Sequence, residues 1–511
     1  MKKLIISAFA LCTLFSTTGC KDWLDVNHDP NVLESIPEGK VLLPAVEVNL
    51  GNNLMGWELG FAGGFWSEYW TQKYTASQFK SLCEYSETSF SYVYQNLTSG
   101  VLLDLEKIKE VALENEDNGN YFIAEALAIF TWQTLTDLWG DIPYSEALKG
   151  SEGITAPKFD KGKDIYADLM KRVDALLDTD LSQAQVDAEY DFIYKGKLDK
   201  WVAFAKSLKL KLMLRQSATP EYDNNAVLQF IESNALLTES ACIPGSVWND
   251  GQEGKRHPLR EFEAGGAGYF TQNVIACKNF IDYLSNNNDP RLETLFKIVD
   301  EETGWRGAFF GDFDSKQASD GSTRDDQVKY SVVNLKGDLD LMIMSDWEVN
   351  FYIAEVYARA GRHGDAKAAY EKGVKASLKQ HRFADNTIIS TGYAKWTDGT
   401  VEEEIKQIAM QKWVANANYQ HIESFLERNR TKYPAIYDTN IKLDREGAYA
   451  DTKIPGNLTV SVNGRGKLNN SLPASPIYPT SVLGRNENSP SQKQNLGEKV
   501  WWDQKAEVII K

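Results

Sequence analysis

Residues 120–148 read NYFIAEALAIFTWQTLTDLWGDIPYSEAL, and their spacing decides the kind of fold. Ile123, Leu127, Phe130, Thr134 and Leu138 recur at intervals of three and four, the period of one helix face. Ala124, Ala128, Leu135 and Trp139 form a second row beside it, so little of the surface is left for water. A helix apolar around so much of its circumference has to lie inside a stack of other helices. Gly140 ends it, Pro143 prevents its resumption, and the alanines let a neighbour approach closely.

Outward from this helix the pattern continues. Phe90–Glu114 is helical upstream. Downstream, Asp164–Leu177 carries Ile165, Leu169, Val173 and Leu176, and Asp199–Arg215 carries Trp201, Phe204, Leu208 and Leu212. The segment DWEVNFYIAEVYARAGRHGDAKAAYEKGVKASLKQH places small and aromatic residues at Ala354, Tyr357, Ala366, Tyr370 and Gly373, with Gly361 and Gly364 in the turn. That is the pattern of a tetratricopeptide helix pair, in which small residues permit close approach and aromatics fill the gap. The first helix and Asp164–Leu177 read as a second such pair with some two dozen residues inserted at its turn. Thr400–Arg428 supplies two more helices, with Trp413, Tyr419 and Phe425. The expected fold is all-α (mainly helical): tetratricopeptide-like pairs over about 90–235 and 346–430, long irregular insertions, and little β.

The insertions have a different texture. From Leu236 to Asp340 glycine and aspartate become frequent, and aromatics stand in loops: Trp248, Phe262, Tyr269, Trp305, Phe309, Phe310 and Phe313. A shorter stretch, Asp438–Pro490, holds a candidate hairpin at Leu458–Val462 and the run LPASPIYP. Loops of this length are functional or disordered, and aromatic content argues against disorder. Near the start, MGWELGFAGGFWSEYWTQKYTASQF interleaves rings with Gly56, Gly60, Gly63 and Gly64, and Trp66, Tyr69, Trp70 and Tyr74 are spaced to share a helix face. Trp57, Phe61, Phe65, Trp66 and Tyr69 read as core, and Trp501–Trp502 as the seal at the end of the stack.

Lys2 and Lys3 precede an apolar run of twelve, Leu4–Phe15, and small residues lead to Gly19 before Cys20. This is a targeting segment over 1–19, too short to span a bilayer, followed by a polar tether over 20–40 and one domain over 41–511. A small residue then cysteine at that place resembles a bacterial lipoprotein signal, with lipid attached at Cys20; Thr17 stands where an aliphatic residue is usual. An ordinary signal with a coincidental cysteine is the alternative. The formal charge of −17 deepens by two when Lys2 and Lys3 leave, which argues against nucleic acid or an anionic membrane face as partner. Cys83, Cys242 and Cys277 remain, odd in number and widely spaced, so free thiols are expected rather than a disulfide framework or zinc site.

The TTGC ending followed by KDWLDVNHDPN is similar to the N-terminus of the SusD/RagB family of Bacteroidetes outer-membrane lipoproteins. AEALAIFTWQTLTDLWGDIPYSEAL resembles that family's most recognisable internal block. AEVYARAG…DAKAAYEKGV, EEEIKQIAMQKWVAN and ESFLERNRTKYP resemble its C-terminal elements, in order. The form is closest to a divergent branch of SusD-like nutrient-binding proteins. The resemblance implies a tetratricopeptide scaffold bearing ligand on irregular loops, a lipid anchor at Cys20 in the outer membrane, cell-surface exposure, and a SusC-like TonB-dependent transporter as partner. It implies oligosaccharide as ligand in many members and peptide in others, and transfers no ligand contact residue by residue.

No catalytic signature stands out. His28, His257, His363, His381 and His421 lack metal spacing, and no nucleophile elbow, phosphate loop or dinucleotide fingerprint occurs. No cofactor and no metal site is expected. Carboxylates abound, so a glycosidase pair held about 5–10 Å apart is not excluded by counting. Asp312, Asp314 and Asp320 can cradle calcium but lack the ordered ligand spacing of a calcium loop; a solvated acidic loop is the simpler reading. A sugar asks for flat rings against its C–H face and planar polar groups at its rim. Three stretches offer both: Trp70–Phe79, with Tyr74 and Phe79; Val247–Arg260, with Trp248, Asn249 and Asp250; and Gly304–Asp314, where glycines should expose Trp305, Phe309 and Phe310. Each ring has a competing role in the core or against the transporter. Trp139, Asp141 and Tyr144, though unusual, read as a structural turn.

Overall fold

The computed structural model describes residues 39–74, 76, 78–263, 269–313 and 329–511. The targeting segment, Cys20 and nearly all of the tether lie outside them, as do Asp314 and Asp320. The principal helices are α1 (Leu43–Met55), α2 (Leu59–Trp66), α3 (Leu103–Glu114), α4 (Asn118–Trp139), α5 (Gly162–Leu177), α6 (Leu198–Arg215), α7 (Lys278–Asn286), α8 (Asp346–Arg359), α9 (His363–Gln380), α10 (Val401–Asn416) and α11 (His421–Thr431). Among the described residues the β structure consists of short two-stranded pairs and isolated bridges. The fold is helical, as the apolar periodicity predicts.

Helix α4 runs through the centre. Asp117 caps its first turn by accepting from the Asn120 amide, and Gly140, at φ +82°, ends it. Thr131, Thr134 and Thr136 sit in the interior because each hydroxyl returns its hydrogen bond to the carbonyl four residues back. α5 packs antiparallel on α4, and α8 with α9 forms the tetratricopeptide pair. The turn after α4 is structural, as expected: the Trp139 indole donates to the Ile477 carbonyl, Asp141 accepts from the Gly162 amide, and the Tyr144 hydroxyl donates to Asp168. Trp502 is fully buried at the end of the stack.

Charge, too, is inside. Arg215 is fully buried and donates to Asp137, Glu427 and Glu423 at 2.9, 2.6 and 2.8 Å. Lys211 pairs with Glu348 and Glu423, Arg430 with Glu355 and Glu427, and Lys412 lies 3.1 Å from Glu427 and over the Tyr352 ring. Buried ions persist when paired and hydrogen-bonded; this network, drawn from α4, α6, α8, α10 and α11, pairs every member, and only the Lys412 ammonium among those named lacks a hydrogen bond, resting on its ion pairs and the Tyr352 ring. Burial alone would raise the Glu423 and Glu427 carboxyls; the surrounding cations outweigh it and hold both below the usual range. For Asp137 burial wins over Arg215, and its carboxyl is pushed up to about 6.

Several local expectations are corrected. Trp66, Tyr69, Trp70 and Tyr74 do not share a helix face: α2 stops at Trp66, Glu68 takes φ +53°, and Trp70–Gln72 is strand β1. The reason is tertiary, since β1 pairs with a strand two hundred residues on. Leu458–Val462 forms no hairpin; Leu458 makes one bridge to Ile436. Cys83, Cys242 and Cys277 are free thiols, Cys83 and Cys277 buried.

Candidate functional site

The first and third aromatic stretches meet. β1 runs antiparallel to β2 (Val274–Ala276), with Trp70 opposite Ala276 and Gln72 opposite Val274. The pairing extends outward through Lys73, whose amide donates to the Asn273 carbonyl. On the other edge of β2, the Ala308 amide donates to the Ala276 carbonyl, and Ala276 in turn donates to Ser331. Thr71 sits between the two stretches, its hydroxyl oxygen accepting from the Gly311 amide. Tyr74 therefore emerges half-buried against Ile275, Ala308 and Tyr330. The Arg306 guanidinium lies over the Tyr330 ring, 5.8 Å from its centre, and Trp305 beside it is half-buried.

A buried acid holds this knot to the C-terminal loops. Glu68 accepts from the Thr459 amide at 2.7 Å and from the Asn279 side chain at 2.6 Å. Desolvation raises its carboxyl well above the usual range despite those bonds. Asp312 is engaged too, by two hydrogen bonds from Arg445, so the acidic stretch it opens is tied to the body at that end.

Not every ring is available. Phe79, Phe309 and Phe310 are 1%, 0% and 1% exposed, which corrects the expectation that they meet ligand directly. Phe79 packs between Phe61, Phe65 and Trp57, Phe309 edges onto Tyr449, and Phe310 stands beside Tyr85. The glycines around Phe309 and Phe310 serve backbone approach rather than exposure: a Cβ at Gly311 would lie 2.8 Å from the Cys83 carbonyl oxygen. Trp57 is the opposite case. Its spacing predicts core, yet it is 43% exposed, 4.8 Å from Phe262 and 5.4 Å from Phe79 by ring centres. Trp57 and Arg306 are what sequence reasoning missed, while Phe262 reads only as one of the loop aromatics; an arginine next to a loop tryptophan is the available hint.

The second stretch stands apart as a small turn of its own. The half-buried Trp248 has its indole N–H committed to the Leu339 carbonyl and its ring edge-on to His257. Asn249 and Asp250 are exposed, but Asn249 Oδ1 accepts from the Gly251 amide, and Asp250 is gripped by Arg260 at 3.1 and 2.8 Å. That grip lowers the Asp250 carboxyl. The stretch connects through α-helical turn Pro258–Glu261 to Phe262 and so to Trp57.

Residues 31–458 match the model of a SusD-like family described as "Starch-binding associating with outer membrane". The chain belongs to the SusD-like family. Solved structures agree on the SusD-like fold. A SusD homologue from Bacteroides uniformis is 21% identical with a TM-score of 0.68, covering 91% of this chain and 99% of its own. A homologue from Bacteroides fragilis is 20% identical at 0.66, covering 92% and 100%. A chitin-binding SusD homologue from Flavobacterium johnsoniae is 17% identical at 0.68, covering 91% and 99%. No curated protein matches the chain. Among the described residues no helix is long and apolar enough to cross a membrane.

Proposed function

We propose that this SusD-like protein is a non-catalytic nutrient-binding lipoprotein of the outer-membrane surface. It captures oligosaccharide on its loop face and delivers it to a SusC-like TonB-dependent transporter. The observation that carries the reading is the convergence of Tyr74, Trp305 and Arg306 on one knot of strands, with Trp57 exposed on the neighbouring helix entry. Partly exposed rings beside a guanidinium suit a sugar's C–H face and hydroxyl rim. The family description supports carbohydrate as the ligand class. Trp248, Asn249 and Asp250 form the outlying part of the same face, and Cys20 carries the lipid.

Calorimetric titration of the purified protein with malto- and chito-oligosaccharides tests the ligand. Trp57→Ala and Tyr74→Ala should each weaken binding about tenfold, or ~1.4 kcal/mol, while each variant still unfolds in a single cooperative transition. No heat from any glycan in a broad panel, together with peptides copurifying from native membranes, would move the assignment to peptide. New reducing ends after overnight incubation with polysaccharide would make it a hydrolase. Fatty-acid labelling that persists in Cys20→Ala would refute the anchor, and failure of the transporter to copurify from mildly solubilised membranes would refute the partnership.

A further inference from the structure

A hollow built of tyrosines lies on the helical frame, lined by none of the rings around Tyr74. It has a volume of about 390 Å³ and is walled by Tyr283 of α7, Tyr370 of α9, Tyr393 of the following loop, and Lys406, Met410 and Gln411 of α10. That size falls within the range of small-molecule sites. Tyr283 and Tyr393 stand at right angles, ring centres 5.5 Å apart.

The walls are held from behind. The Tyr393 hydroxyl donates to Asp289 and the Tyr370 hydroxyl to the Ala394 carbonyl. Behind the floor, the fully buried Asp289–Arg291 pair presents Arg291 to Gln411 Oε1 at 2.8 Å. That bond fixes the orientation of the Gln411 amide, and Gln411, only 2% exposed, lines the hollow. The Tyr283 hydroxyl makes no bond to a described residue. Two rings at right angles, with an amide and a hydroxyl lining the same hollow, are complementary to a polyhydroxylated ring.

The rim carries both signs of charge. Asp398 accepts from the Trp396 indole through one oxygen, and Glu403 closes the Thr400 cap through one oxygen, so each acid is held in place and keeps its charge. Lys406 has no ion-pair partner among the described residues and adds positive charge at the mouth. We infer that this hollow is a second saccharide site, taking the end of a neutral sugar chain independently of the loop face.

Titration of the full chain with maltose and N,N′-diacetylchitobiose, read by saturation-transfer NMR and calorimetry, tests it. In a Trp57→Ala/Tyr74→Ala background one of the two disaccharides should still bind weakly. Adding Tyr283→Phe should weaken that residual binding about threefold, and adding Tyr283→Ala at least tenfold, with the melting curve of Tyr283→Phe unchanged. Absence of residual binding to both probes, indifference to Tyr283→Phe, or displacement of sugar by tetramethylammonium would each overturn the inference. Should the double background bind as well as the wild type while Tyr283→Ala abolishes binding, the hollow stands and the loop face falls.

Discussion

Replacing Arg215 by methionine keeps much of the side chain's bulk and removes the guanidinium that three carboxylates share. Asp137, Glu423 and Glu427 lie 2.9, 2.8 and 2.6 Å from it in a site closed to solvent. Deleting one partner of a buried ion pair costs about 3–5 kcal/mol, because the charge left behind is uncompensated. Glu423 and Glu427 retain Lys211, Lys412 and Arg430, so the penalty falls mainly on Asp137. Unfolding entropy of about 2.1 cal/mol/K per residue over 511 residues converts the loss into a Tm drop of about 3–5 °C at pH 7.5. The sign with pH follows from Asp137, whose folded carboxyl already titrates at about 6. Without Arg215 it rises further above its unfolded value, so the folded variant takes up a proton as pH falls and is stabilised relative to pH 7.5. The gap to wild type should therefore narrow at pH 5, and Asp137→Asn added to Arg215→Met should recover part of it at pH 7.5. Differential scanning calorimetry at both pH values reads all three. A drop below about 1 °C, or one that widens toward pH 5, would refute the network as an energetic unit.

Gly63→Ala should cost more than about 2 kcal/mol in a urea melt, since its Cβ would meet the His421 carbonyl carbon at 2.5 Å and that atom is backbone; no change would mean α2 and α11 can part cheaply. Cys83 and Cys277 should resist a thiol reagent in the native state and react on unfolding, because burial pushes the Cys83 thiol up to about 12 and raises the Cys277 thiol well above its usual range; rapid native labelling of either would contradict the packing. Thr400→Ala removes one half of a capping box whose other half is Glu403, and should lower stability by about 1 kcal/mol, seen as faster amide exchange in the first turn of α10.

The sequence by itself determined the frame. Period-3.6 apolar rows in 120–148 and the small–aromatic spacing of 346–381 are local facts, and α4, α8 and α9 sit where they point. Whether a ring met solvent was another matter. Trp57 reads as core and stands exposed, while Phe309 and Phe310 read as exposed and lie buried, because what each meets comes from elsewhere in the chain: Phe262 for Trp57, Tyr449 for Phe309 and Tyr85 for Phe310. The same holds for β1, which its own residues announce as helix until β2 offers hydrogen bonds, and for the ion network, whose members are ordinary surface residues in sequence. Glu68 and the tyrosine hollow carry no local signature at all. Periodicity records which face of an element is apolar; only the assembled helices and loops decide what that face touches, and a binding surface is made of the faces left over.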